Sequence, residues 1–107
     1  MQSKIYVLDA SAIIGGFYSK EAMNFTTAGV ILEIKDLKSK IVLQSAIENG
    51  CITIKDPSPE GVKELETVLR ESGDILRLSD VDKNIVALAV TLKNEGFKPT
   101  LVTDDYS

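Results

Sequence analysis

Apolar residues fall in two patterns along the chain: short unbroken runs, and longer stretches in which they recur every three or four positions. KIYVLD at 4–9 is of the first kind, β-branched and apolar, and predicts a strand buried on both faces, as in parallel sheets. CITIKD at 51–56 and KPTLVTDD at 98–105 predict two more strands. SAIIGGFYS at 11–19 predicts a short helix broken near Gly15 and Gly16. AGVILEIKD at 28–36 predicts a helix capped by Thr26 or Thr27, and LKSKIVLQSAIEN at 37–49 one that stops at Asn49-Gly50. The stretch from Ser58 to Gly73 places Pro59 at the first helical position and Val62, Leu65 and Leu69 on one face. A long helix is expected from a Ser79 cap to Gly96.

Strands that alternate with helices imply βαβ units, a parallel central sheet and an α/β fold. No repeat or Pro/Gly-rich linker divides the chain, so residues 1–107 are expected to form one domain. In open parallel sheets ligands sit outside the carboxyl ends of the strands, where Asp9 and Asp104 fall. If the first and last strands are neighbours, about 4.8 Å apart, those two carboxylates share a site.

Two further acids join them by helical spacing. Asp82 falls on the face of Ile85, Val86 and Ala89, so a carboxylate continues an apolar stripe, whereas Asp80 points to the opposite side. Glu33 lies between Val30 and Leu37 on the preceding wheel, at the border of its buried stripe. Each acid alone has a plain structural explanation. Asp82 stands three residues after Ser79, a capping-box spacing; Asp9 or Asp104 can bond nearby backbone amides at a strand end; Glu33 can be a solvated helix residue. Together, four carboxylates at one sheet end would repel one another unless protons or cations neutralise them.

Composition narrows what that neutralising group can be. The chain has no histidine and a single cysteine, Cys51, which leaves no intramolecular disulfide and no Cys/His zinc site in this segment. Hard divalent ions bound through oxygen, Mg²⁺ or Mn²⁺, fit the donor set. One or two of them at Asp9, Glu33, Asp82 and Asp104 would serve phosphodiester hydrolysis, with Asp9 as the bridging ligand. Ser11 and Thr103 are placed to orient a water or a phosphate oxygen, and Asp105 either supports them or is a turn residue. The formal charge of −4 argues against a broad basic surface for nucleic acid, unless cations offset some of the sixteen acids. Lys35, Lys38 and Lys40 form a basic run that either guides an RNA backbone or is a solvated helix face. No apolar run is long enough to cross a bilayer and the N-terminus lacks a signal-peptide pattern, so a cytoplasmic location is expected.

VLDASAII at 7–14, ILEIKD at 31–36, LSDVD at 78–82 and the terminal LVTDDYS together resemble the four acidic stations of the PIN-domain ribonucleases. SGDILRLSDVD at 72–82 and VTDDYS are most similar to the ribosome-assembly type, which matures the 3′ end of small-subunit rRNA. The resemblance implies a PIN-like fold with helices on both faces of the sheet. It also implies an endonuclease dependent on Mg²⁺ or Mn²⁺, acting on single-stranded RNA among ribosome-assembly factors. Asp9, Glu33, Asp82 and Asp104 take the metal-ligand and catalytic roles, with Ser11 beside them. Proteins of that type continue with more of the domain and a zinc ribbon, so the resemblance implies a chain truncated at its C-terminus. Two other readings share the pattern: a PIN-type toxin of a toxin–antitoxin pair, and a non-catalytic RNA or protein docking module. An aspartyl phosphotransfer domain is disfavoured because DASA lacks a second acid.

Overall fold

A computed structural model describes residues 4–17, 21–72 and 78–103. The elements follow in the order β1 (Ile5–Leu8), α1 (Ala10–Ile14), β2 (Met23–Thr26), α2 (Ala28–Glu33), α3 (Leu37–Glu48), β3 (Ile52–Ile54), α4 (Pro59–Ser72), α5 (Asp80–Asn94) and β4 (Pro99–Val102). The four strands pair in parallel in the order β3-β2-β1-β4, so the fold is α/β as the alternation implied. β1 is central and lies beside β4 with Leu8 opposite Val102. Ile5 and Val7 on one side of β1 and Leu8 on the other are all buried, which requires cover on both faces of the sheet.

The sequence reading missed β2. MNFT has no apolar run, yet Asn24, Phe25 and Thr26 are buried at the centre of the sheet. Their polar groups are bonded internally: Asn24 Nδ2 donates to the Cys51 carbonyl at 2.9 Å, and Thr26 Oγ1 to the Leu8 carbonyl at 2.9 Å. A polar side chain with a partner is tolerated in the core, and the apolar periodicity that signals a strand is then absent.

The cap of α2 is Thr27, whose Oγ1 accepts from the Val30 amide, while Thr26 belongs to β2. Helix α2 also stops three residues short of the expected Asp36. Ile34 turns extended and buries its side chain, and Asp36 begins α3 as its cap. Helix α5 starts as expected, with Ser79 Oγ accepting from the Asp82 amide at 3.1 Å, and anchors itself through Ile85, Leu88 and Leu92. Helix α4 packs on α5, where Gly61 lies under the Thr91 hydroxyl and Leu65 and Leu69 meet Ala87.

Candidate active site

Asp9 leaves the carboxyl end of β1 in an extended conformation, and its side chain caps the five-residue helix α1. Its Oδ1 accepts from the Ala12 amide at 2.8 Å and from the Ser11 hydroxyl at 2.7 Å. The bonding expected of an ordinary strand-end aspartate is therefore present, but it engages one oxygen of the two. Ser11 Oγ lies 3.2 Å from Thr103 Oγ1, which brings the end of β4 to the same spot across the strand pair.

Glu33 ends α2 and Asp82 sits in the first turn of α5. With Asp9, Ala10, Ser11, Val30 and Val81 they line one open cleft of about 330 Å³. Three carboxylates from three separate elements thus face a common space at the carboxyl end of the sheet. Among the described residues, neither Glu33 nor Asp82 uses its carboxylate for a hydrogen bond or an ion pair. The capping box expected of Ser79 and Asp82 is half formed: the serine caps the helix, and the aspartate side chain is left to the cleft. Asp80 is exposed and is not part of the lining.

The part of the spacing that set Glu33 beside Val30 holds, and the part that ran on to Leu37 does not. The expected wheel ran through Leu37, but that residue belongs to α3 and is 72% exposed. Val30, three residues earlier and fully buried, lines the same cleft as Glu33, whose own side chain is exposed. Asp104 and Asp105 lie outside the described residues. Lys35, Lys38 and Lys40 do not border the cleft: Lys35 follows α2, while Lys38 and Lys40 line two separate hollows elsewhere. Of the apolar lining, Val30 was named beside Glu33, whereas Ala10 and Val81 were not singled out. Each neighbours an acid or shares its helix face, a signal that the wheel could have supplied.

Only oxygen donors are available here, from carboxylates and hydroxyls, a set that suits a hard divalent cation retaining part of its water shell. Among the described residues no three acids stand close enough to enclose one ion directly. The donor types of Asp9, Glu33 and Asp82 suit such an ion, but their present spacing does not enclose one.

The arrangement is a parallel α/β sheet with an acidic cleft at the carboxyl ends of its strands. Residues 6–92 match the family model described as the PIN domain of ribonuclease, a span that includes Asp9, Glu33 and Asp82. The chain belongs to that family. It is 42% identical over 94% of its length to Endoribonuclease Nob1 of Methanothermobacter thermautotrophicus and 36% identical, also over 94%, to Endoribonuclease Nob1 of Pyrococcus abyssi. Ribonuclease VapC1 of Thermoplasma acidophilum is 35% identical over 96% of the chain. The chain spans 58% of each of those two Nob1 proteins and 50% of the VapC1 protein.

Proposed function

We propose that the cleft binds Mg²⁺ or Mn²⁺ and that the protein is an endoribonuclease hydrolysing phosphodiesters of single-stranded RNA. The observation that carries this reading is the convergence of Asp9, Glu33 and Asp82 on one cleft at the carboxyl end of a parallel sheet. Those three residues would hold the cation, with Asp104 beside them by the resemblance. A bound divalent ion would stabilise charge on phosphoryl oxygens and make water a stronger nucleophile. The chain's own groups do the positioning. Ser11 and the Ala12 amide fix one oxygen of Asp9, which leaves the other for the cleft. The Ser11 and Thr103 hydroxyls, 3.2 Å apart, are placed to steer a phosphate oxygen or a water.

The resemblance to the ribosome-assembly type, alongside the similarity to proteins named Endoribonuclease Nob1, favours a place in small-subunit rRNA 3′-end maturation with ribosome-assembly factors as partners, and the cytoplasm is the location proposed from the sequence. The likeness to Ribonuclease VapC1 supports the same chemistry with a different RNA target, as in a toxin–antitoxin pair.

The test is a Mn²⁺ titration of the isotope-labelled chain, read as paramagnetic broadening of amide signals. Broadening centred on Asp9, Glu33 and Asp82 is expected, followed by cleavage of a single-stranded RNA spanning the rRNA 3′ boundary. Scattered or absent broadening would remove the cation site and favour a docking module.

A further inference from the structure

We propose that Val81 is a positioning residue that sets the spacing between Glu33 and Asp82; this rests on the cation-site reading above. The two acids stand on helices of very different security. Asp82 belongs to the fifteen-residue α5, held by Ile85, Leu88 and Leu92 in the core. Glu33 ends a six-residue helix, too short to hold its shape or place without packing. What α2 leans on therefore decides where Glu33 lies.

One support is Val30, buried beneath the helix. The other is Val81, half-buried, lining the cleft next to Asp82 and packed on the core. Its two methyl groups face Gly29 of α2 across a gap that a Cβ on that glycine would fill at ordinary contact distance, 3.6 Å from one methyl and 3.9 Å from the other. Val81, on α5 and facing α2, stands between the Glu33 wall of the cleft and the Asp82 wall. A cation shared by the two carboxylates would then be sensitive to the bulk at position 81, although a valine side chain cannot ligate a metal.

The experiment uses Mn²⁺ alone, titrated into the labelled 107-residue chain and its variants, with broadening at the Glu33 and Asp82 amides as the readout. Val81→Ala removes both methyl groups that face Gly29 and is expected to weaken Mn²⁺ binding about tenfold, the size of effect seen when groups that orient metal ligands are lost. Val81→Ile keeps the contact and is expected to bind as the parent does. Adding Gly29→Ala to Val81→Ala returns one methyl to the gap and should recover part of the loss, a non-additive pair. A merely structural role would lower the melting temperature of Val81→Ala and leave its Mn²⁺ midpoint unchanged, which overturns the proposal. Should that variant not fold, Gly29→Val wedges the same contact from the other side, and an unchanged midpoint there is equally fatal. Failure of the parent chain to broaden at Asp9, Glu33 and Asp82 is a separate result that takes away the cation site itself.

Discussion

The Oδ1 atom of Asp9 accepts from the Ala12 amide and the Ser11 hydroxyl, so this oxygen is committed to starting α1 while the second remains for the cleft. Substitution can separate the two duties. Asp9→Asn keeps the acceptor for Ala12 and removes the charge, so RNA cleavage and Mn²⁺ binding at the cleft should be lost with the melting temperature unchanged or slightly raised. Asp9→Ala removes the cap as well and should cost about 1 kcal/mol of stability besides. Denaturant unfolding with the Mn²⁺ titration distinguishes them; an Asn variant that cleaves at the parent rate in Mg²⁺ would end the ligand role of Asp9. A second residue shows the capping duty alone. Asp36 caps α3, and hydrogen bonds from the Ser39 hydroxyl and amide hold its carboxyl below the ordinary 3.8. Because the folded value is depressed, the stabilisation from its charge is complete above the unfolded value and fades as pH falls through the folded one. Comparing acid unfolding of the parent with Asp36→Asn should show a stability gap near neutral pH that narrows below about pH 4, whereas a gap constant with pH would refute the assignment. Capping of this kind is legible in sequence, and Asp36 before LKSK was a start signal that the reading of 28–36 as one helix passed over.

Elements were legible where apolar spacing was clean and lost where polar residues were buried. The spacing on α4 named Leu65 and Leu69 of its buried face, and β1 and β4 announced themselves as apolar runs. The stripe on α5 named Ile85 but placed Val86 and Ala89, which are half-buried, where Leu88 and Leu92 pack. β2 did not, because two of its buried residues are Asn24 and Thr26, whose partners, the carbonyls of Cys51 and Leu8, are distant in sequence. Glu33 lines the cleft although the helix used to place it was read as too long. Two changes test how the elements are joined. Ser79→Ala removes the acceptor for the Asp82 amide and should cost about 1 kcal/mol while loosening the turn that carries Asp82, read as faster amide exchange there. Gly61→Ala puts a methyl onto the Thr91 hydroxyl and 3.0 Å from the Ala87 carbonyl, atoms fixed by hydrogen bonds of Thr91 to Ala87 and Ser58. Overpacking of this sort costs about 1–3 kcal/mol, so the α4–α5 contact should weaken and the midpoint of unfolding should fall. An unchanged midpoint would mean that α4 slides away from α5 without loss.

At the scale of the whole molecule, charge and topology act together. A chain with sixteen acids and twelve bases gathers at least three of the acids at one end of its sheet. Parallel strands pointing the same way, with loops that lead into short helices, bring Asp9, Glu33 and Asp82 together from positions far apart in sequence. A divalent cation that binds only the assembled cleft should therefore stabilise the fold as well as support chemistry. At about one hundred times its dissociation constant a ligand of the native state adds about 2.7 kcal/mol. For a domain of this size that corresponds to a rise of about 10 °C or more in melting temperature. Thermal unfolding in excess Mn²⁺ against excess chelator should show that rise in the parent chain and a much smaller one in Asp9→Asn. The control is an equal ionic strength of a monovalent salt, which screens the acids without bridging them and should produce only a small part of the shift. Equal shifts from both salts would mean that the cluster responds to screening alone, and the acids would then be a charged rim with no cation site at its centre.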